Sequence, residues 1–133
     1  MTPAISFTVF GNPIPKARAR TVRGKSGKVH SFTPADTEMW ESTIYYSALP
    51  HRPANLLEGA LALEATFYFM PPKNRPKGRV HPSVKPDLDN CVKSVKDALE
   101  GLIYVNDSQI VEEHSKKRYD QTPRIEVKIW EAP

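Results

Sequence analysis

KPDLDNCVKSVKDALEG, residues 85–101, carries two messages at once. Leu88, Cys91, Val92, Val95 and Leu99, with Leu102 just beyond, recur at intervals of three and four. That period puts them on one stripe of a helix, which must be covered by other apolar surface. Gly101 marks the helix end, and a helix of about 14 residues runs ~21 Å. The second message is chemical. Two aspartates, Asp87 and Asp89, stand at the mouth of this helix, directly after a stretch whose only charges are positive.

Working outward, the flanks read as strands. ISFTVFG (5–11) and ALALEATFYFM (60–70) alternate, the second with Leu61, Leu63, Ala65, Phe67 and Phe69 on one side. Period two of this kind marks a half-buried strand. IVEEHSKKRY and PRIEVKIW (123–130) read as two closing strands, and IYVNDSQ before them as a turn. TPADTEMWESTIYYSAL starts a first helix at Thr33-Pro34 or Asp36. Met39, Trp40, Thr43, Ile44 and Ser47 lie at helical spacing, and its early acids suit the positive helix end. Trp40, Tyr45 and Tyr46 read as packing residues, and Cys91 as core. The segment from Asn12 to Pro34 reads as a basic hairpin or extended loop. This order predicts an α+β (mixed α/β) fold, one small domain over residues 1–133 with two helices packed on a sheet.

Composition narrows the function. The single cysteine excludes an internal disulfide, and the N-terminus has no basic run ahead of an apolar one. No stretch has the length of a membrane span. A cytoplasmic protein without a membrane partner is expected. Between Met1 and Ala35 stand Lys16, Arg18, Arg20, Arg23, Lys25 and Lys28 with no acid, and between Pro71 and Pro86 stand Lys73, Arg75, Lys77, Arg79 and Lys85, again with none. Basic loops around an acidic centre suggest a polyanion gripped by the loops and acted on at the centre. The other reading is ordinary charge mixing for solubility.

Asp87 and Asp89 admit two readings. If the chain stays extended through Asp89, both carboxylates face one side and could hold a hard cation such as Mg²⁺, which takes oxygen ligands. Alternatively, one aspartate is an ordinary N-cap and the second, in the first turn, is stabilised by the helix dipole. Asp107, in VNDSQI, is a third carboxylate in ordinary turn chemistry, and spacing does not decide whether it reaches Asp87. Lys93 stands four residues after Asp89, either as its ion-pair partner or over a metal site. Asp97, four further on, reads first as a partner for Lys93. The four histidines form no metal-ligand spacing. No glycine-rich phosphate loop is present, so no nucleotide cofactor is expected.

The run KPDLDNCVKSVKDALEGLIYVNDSQI (85–110) resembles the RusA family of Holliday junction resolvases. The D-x-D-N pair, the lysine four residues on, the D-A-L segment and the N-D-S-Q turn occur in the family's order. GNPIPKARAR, FTP, the helical Trp-Glu and the closing KKRY strand look like further parts of the same pattern. The resemblance implies a homodimeric, Mg²⁺-dependent endonuclease of phage or prophage type that binds four-way DNA junctions and nicks opposed strands, in recombination and repair. It implies Asp87, Asp89 and Asp107 as metal ligands and catalytic residues, with Lys93 catalytic. The basic segments, with Lys116 and Lys117 of KKRY, are then the DNA-binding residues. Helix 36–49 and strand 60–70 are candidates for the surface that pairs two subunits. The alternative is a non-catalytic protein that binds structured DNA through its basic loops.

Overall fold

The computed structural model describes residues 4–17, 20–23, 27, 29–32 and 34–133, with the backbone alone for 20–23 and 29–32. Strand β1 (Ile5–Phe10) is followed by a hairpin of β2 (Arg20–Arg23) and β3 (Val29–Phe32), then helix α1 (Ala35–Ala48). Strand β4 (Leu61–Phe69), helix α2 (Leu88–Leu99), and strands β5 (Ile110–Tyr119) and β6 (Arg124–Glu131) complete the order. β1, β6, β4 and β5 form one sheet in that sequence, so the α+β expectation holds. The pairs β1–β6 and β6–β4 are antiparallel, whereas β4 and β5 are parallel. A parallel pair needs a long crossover, and α2 lies within it.

Register explains the core. Phe7 pairs with Val127 and Val9 with Ile125, while Leu63, Ala65 and Phe67 of β4 pair with Ile129, Val127 and Ile125. These side chains share one face of the sheet, and all are buried. Trp40, Ile44 and Ala48 of α1 and Cys91, Val92, Val95, Ala98 and Leu99 of α2 close over that face. The opposite face carries Ser6, Glu64, Thr66, Glu126 and Lys128. An apolar-in, polar-out alternation of this kind fixes register, because a one-residue slip would reverse the faces.

Several boundaries shift from those read in the sequence. β1 ends at Phe10 because Gly11 turns to φ +131°, a conformation open to glycine; a Cβ there would also lie 3.1 Å from the Trp40 ring. The buried row of α1 is Thr37, Trp40, Ile44 and Ala48, so the stripe is rotated from the expected one. Met39 is 71 % exposed, Tyr46 is exposed, and Tyr45 sits edge-on against Tyr46. Thr43 and Ser47 face outward and donate to the carbonyls of Met39 and Thr43. β4 is hydrogen-bonded on both sides and its apolar face is covered, which leaves it no free edge for a second subunit. Among the described residues, the edge strands of the four-stranded sheet are β1 and β5, and β5 displays Glu112, Glu113, Lys116 and Arg118, charges that discourage edge pairing. Among the described residues, no helix is long and apolar enough to cross a membrane.

Candidate active site

Helix α2 is the mount. Six of its residues are buried, Cys91 and Ser94 among them, so the helix cannot roll. Its N-cap is Asp87, in extended conformation (φ −69°, ψ 141°), after a cis Lys85–Pro86 peptide. The expectation that Asp89 lies near the cap after an extended run is therefore corrected by two residues. Asp89 is already in the first helical turn, so period-two alternation does not relate the two side chains. The capping explanation also fails for Asp87, whose carboxylate makes no side-chain cap bond. Among the described residues, Asp89 accepts only from the adjacent Asn90 N–H, at 3.0 Å. Both stay exposed at the positive end of the helix. Both are also close enough to Cys91 to act on its thiol, which burial, chiefly, pushes up to about 11.

Asp107 comes back to this helix. Past Gly101 (φ +84°) the chain folds against α2 through buried Leu102, Ile103 and Tyr104. Tyr104 Oη donates to the Lys96 carbonyl at 2.6 Å, and burial pushes the phenol's pKa well up. A 3-10 turn then spans Asp107–Gln109 and is capped by Asn106. Asn106 Oδ1 accepts from Ser108 N, and Gln109 Oε1 accepts from Val105 N and Asn106 N, each at 2.9 Å. Gln109 Nε2 donates onward to the carbonyls of Leu57 and Gly59. Asp107 N–H itself donates to Glu100 Oε1 at 2.9 Å. The Asp107 carboxylate reaches Lys93, with Oδ2 3.1 Å from Nζ. Lys93 stands one turn, about 6 Å, along α2 from Asp89. The third carboxylate therefore lies along the middle of the helix, at Lys93, while its backbone N–H reaches Glu100 at the helix C-cap.

Lys93 is shared. Its ammonium also lies 3.0 Å from Asp97, and the bonds to Asp97 and then Asp107 hold its pKa above the ordinary lysine value. Its other expected partner, Asp89, is not the one it takes. Among the described residues no three His, Cys, Asp or Glu side chains are already gathered as a metal cage. The donor set is nevertheless one a hard cation accepts, namely exposed carboxylate oxygens with room for waters. An open cleft of about 430 Å³ beside it is lined by Pro15, Lys85, Pro86, Asp87 and Asn90. A second cleft, of about 440 Å³ between Leu56, Leu57, Leu61 and Trp130, contains none of these carboxylates.

The expected DNA-binding residues divide. Arg18, Lys25 and Lys28 lie outside the described residues, and for Arg20 and Arg23 only the backbone in β2 is described. Lys16 points inward, paired with Glu41 at 2.8 Å and Asp97 at 3.2 Å. Lys117 is committed to the carbonyls of Val84 and Pro86, both at 2.6 Å, and so ties β5 to the segment that delivers Asp87. Arg75 lies 5.1 Å from the Tyr119 ring centre. Lys73, Lys77, Lys85 and Lys116 are exposed, and Arg79 is partly buried. Sequence reasoning missed Glu41, Glu100, Asn106 and Gln109. The N-x-x-Q spacing of 106–109 was a readable capping box; Glu41 and Glu100 had no local signal.

The fold and these groups define a small α+β protein with two exposed aspartates at the start of a helix and a third carboxylate bonded to a lysine further along it. The match to known proteins gives that class its family. Residues 11–130 match Endodeoxyribonuclease RusA, and the chain belongs to that family. It is 38% identical to the Uncharacterized protein YqaN of Bacillus subtilis (strain 168), over 96% of both chains. It is also 38% identical to the Crossover junction endodeoxyribonuclease rusA of Lactococcus phage r1t, over 54% of this chain and 55% of that one.

Proposed function

We propose that the protein is a Mg²⁺-dependent endodeoxyribonuclease that resolves four-way DNA junctions by paired nicks, in recombination and repair. The observation that carries this reading is the return of Asp107 to α2, where it meets Lys93 one turn from Asp89. Turn chemistry alone gives no reason for that contact. Asp87, Asp89 and Asp107 would hold the cation, which when bound activates water and neutralises charge on the leaving oxygen. Lys93 offers a fixed positive group for charge that grows on the phosphate. Lys73, Lys77, Arg79, Lys85 and Lys116 would hold backbone phosphates, which sets register without reading sequence. A four-way junction has two-fold symmetry, so two opposed nicks call for two copies of the site related by that axis. The outer face of α1, with Met39 and Tyr46, is the candidate pairing surface.

The test is a labelled four-way junction incubated with the protein over a Mg²⁺ titration, with excess linear duplex as competitor. Paired nicks that require Mg²⁺ and survive the competitor are expected. Binding without nicking at any Mg²⁺ concentration would make the protein a binder of structured DNA. Nicking suppressed by duplex would remove the junction preference.

A further inference from the structure

A chain of alternating charge runs from α1 to the Asp107 turn. Glu41, Lys16, Asp97, Lys93 and Asp107 follow one another at N–O separations of 2.8, 3.2, 3.0 and 3.1 Å. Its middle is rigid. Asp97 uses one oxygen for each lysine, Oδ2 for Lys16 and Oδ1 for Lys93, so its carboxylate cannot rotate without breaking a contact. Lys16 is fixed through its own backbone, whose N–H donates to the Asn90 carbonyl at 2.8 Å. Two residues earlier the Ile14 carbonyl accepts from Ser94 Oγ at 3.1 Å, and Ser94 is fully buried. Lys93, by contrast, is a half-exposed four-carbon side chain whose head, among the described residues, is held by Asp97 and Asp107.

We propose that Asp97 is a positioning residue for Lys93: anchored by Lys16, it keeps the ammonium beside the site when Asp107 turns its carboxylate to a cation. The proposal rests on the nuclease reading above. A cation at Asp107 competes for the oxygen that Lys93 now contacts and repels the ammonium. Without a second carboxylate the long side chain would move to solvent and its rotamers would spread. Asp97 supplies that second partner. Lys16, expected to hold phosphate, serves here to keep Asp97 in place. Asp97 touches no reacting atom, so its effect must pass through Lys93.

The experiment follows the Lys93 ammonium by ¹⁵N NMR in the DNA-free full chain, assigned by its loss in Lys93→Met, with and without Mg²⁺. In the unaltered protein the signal is expected to shift on Mg²⁺ addition and stay sharp. In Asp97→Asn it should broaden away once Mg²⁺ is present, and Asp97→Glu should restore it in part. Junction nicking at saturating Mg²⁺ should fall about 10- to 100-fold in Asp97→Asn, with KM unchanged. Asp97→Asn should add no loss in the Lys93→Met background. A sharp Mg²⁺-bound signal in Asp97→Asn, or an equal further loss in the Lys93→Met background, overturns the proposal while the nuclease reading stands. No Mg²⁺ response and no nicking by the unaltered protein removes that reading, and the proposal with it.

Discussion

Asp107 and the Asp87/Asp89 pair border the same helix, the pair at its start and Asp107 at Lys93, but they are held in opposite ways. Asp107 sits in a turn with a full capping box, its N–H bonded to Glu100 and its carboxylate against Lys93. Asp87 occupies a cap position without capping, and Asp89 accepts one local N–H. The braced carboxylate comes from a distant part of the chain and must be brought in. The unbraced pair already sits on a helix whose burial fixes it. An N-cap aspartate that forgoes its bond gives up about 1 kcal/mol of helix stability. Stability alone does not account for its carboxylate, which agrees with the metal-holding role proposed above.

Variants can break this contrast from either side. The largest effect expected is on turnover: Lys93→Met should lower junction nicking about 10²–10³-fold, because it removes the fixed charge beside Asp107. Single-turnover nicking checks this, with junction binding measured alongside. Next is Gln109→Ala, which strips the acceptor from Val105 N and Asn106 N and the donor from two carbonyls. A loss of about 1–3 kcal/mol in urea unfolding is expected, with nicking reduced as Asp107 loosens. A smaller effect concerns Lys16. Burial pulls its pKa down, but the bonds to Glu41 and Asp97 outweigh this and hold it above the ordinary 10.5. A raised folded-state pKa stabilises fully below the unfolded value and is lost as pH rises through the folded one. The stability gap between the unaltered protein and Lys16→Met should thus be flat up to about pH 10 and close above it, at no more than about 1 kcal/mol.

What the sequence disclosed follows the same division. The stripe of α2 was legible because Cys91, Val92, Val95 and Leu99 are apolar at strict spacing against charged neighbours. The stripe of α1 was not, because Thr37 is buried while Met39 and Tyr46 are exposed, and apolar character there does not track burial. The strands were readable from alternation, and the β4–β5 parallel pair from none of it. For the site, Asp87, Asp89, Lys93 and Asp107 could be picked out by residue type and family pattern. The contact between Lys93 and Asp107 could not, since it depends on a turn 14 residues away folding back. Lys16 and Lys117 looked like phosphate ligands because charge runs carry no record of which partners the fold supplies.

The most direct measurement pairs urea unfolding with junction nicking for Asp87→Ala beside the unaltered protein. The account predicts unfolding free energies equal to within about 0.5 kcal/mol, junction binding retained and nicking lost. Retained nicking, or a loss of stability of about 1 kcal/mol as for a removed helix cap, would contradict it and return Asp87 to a structural role.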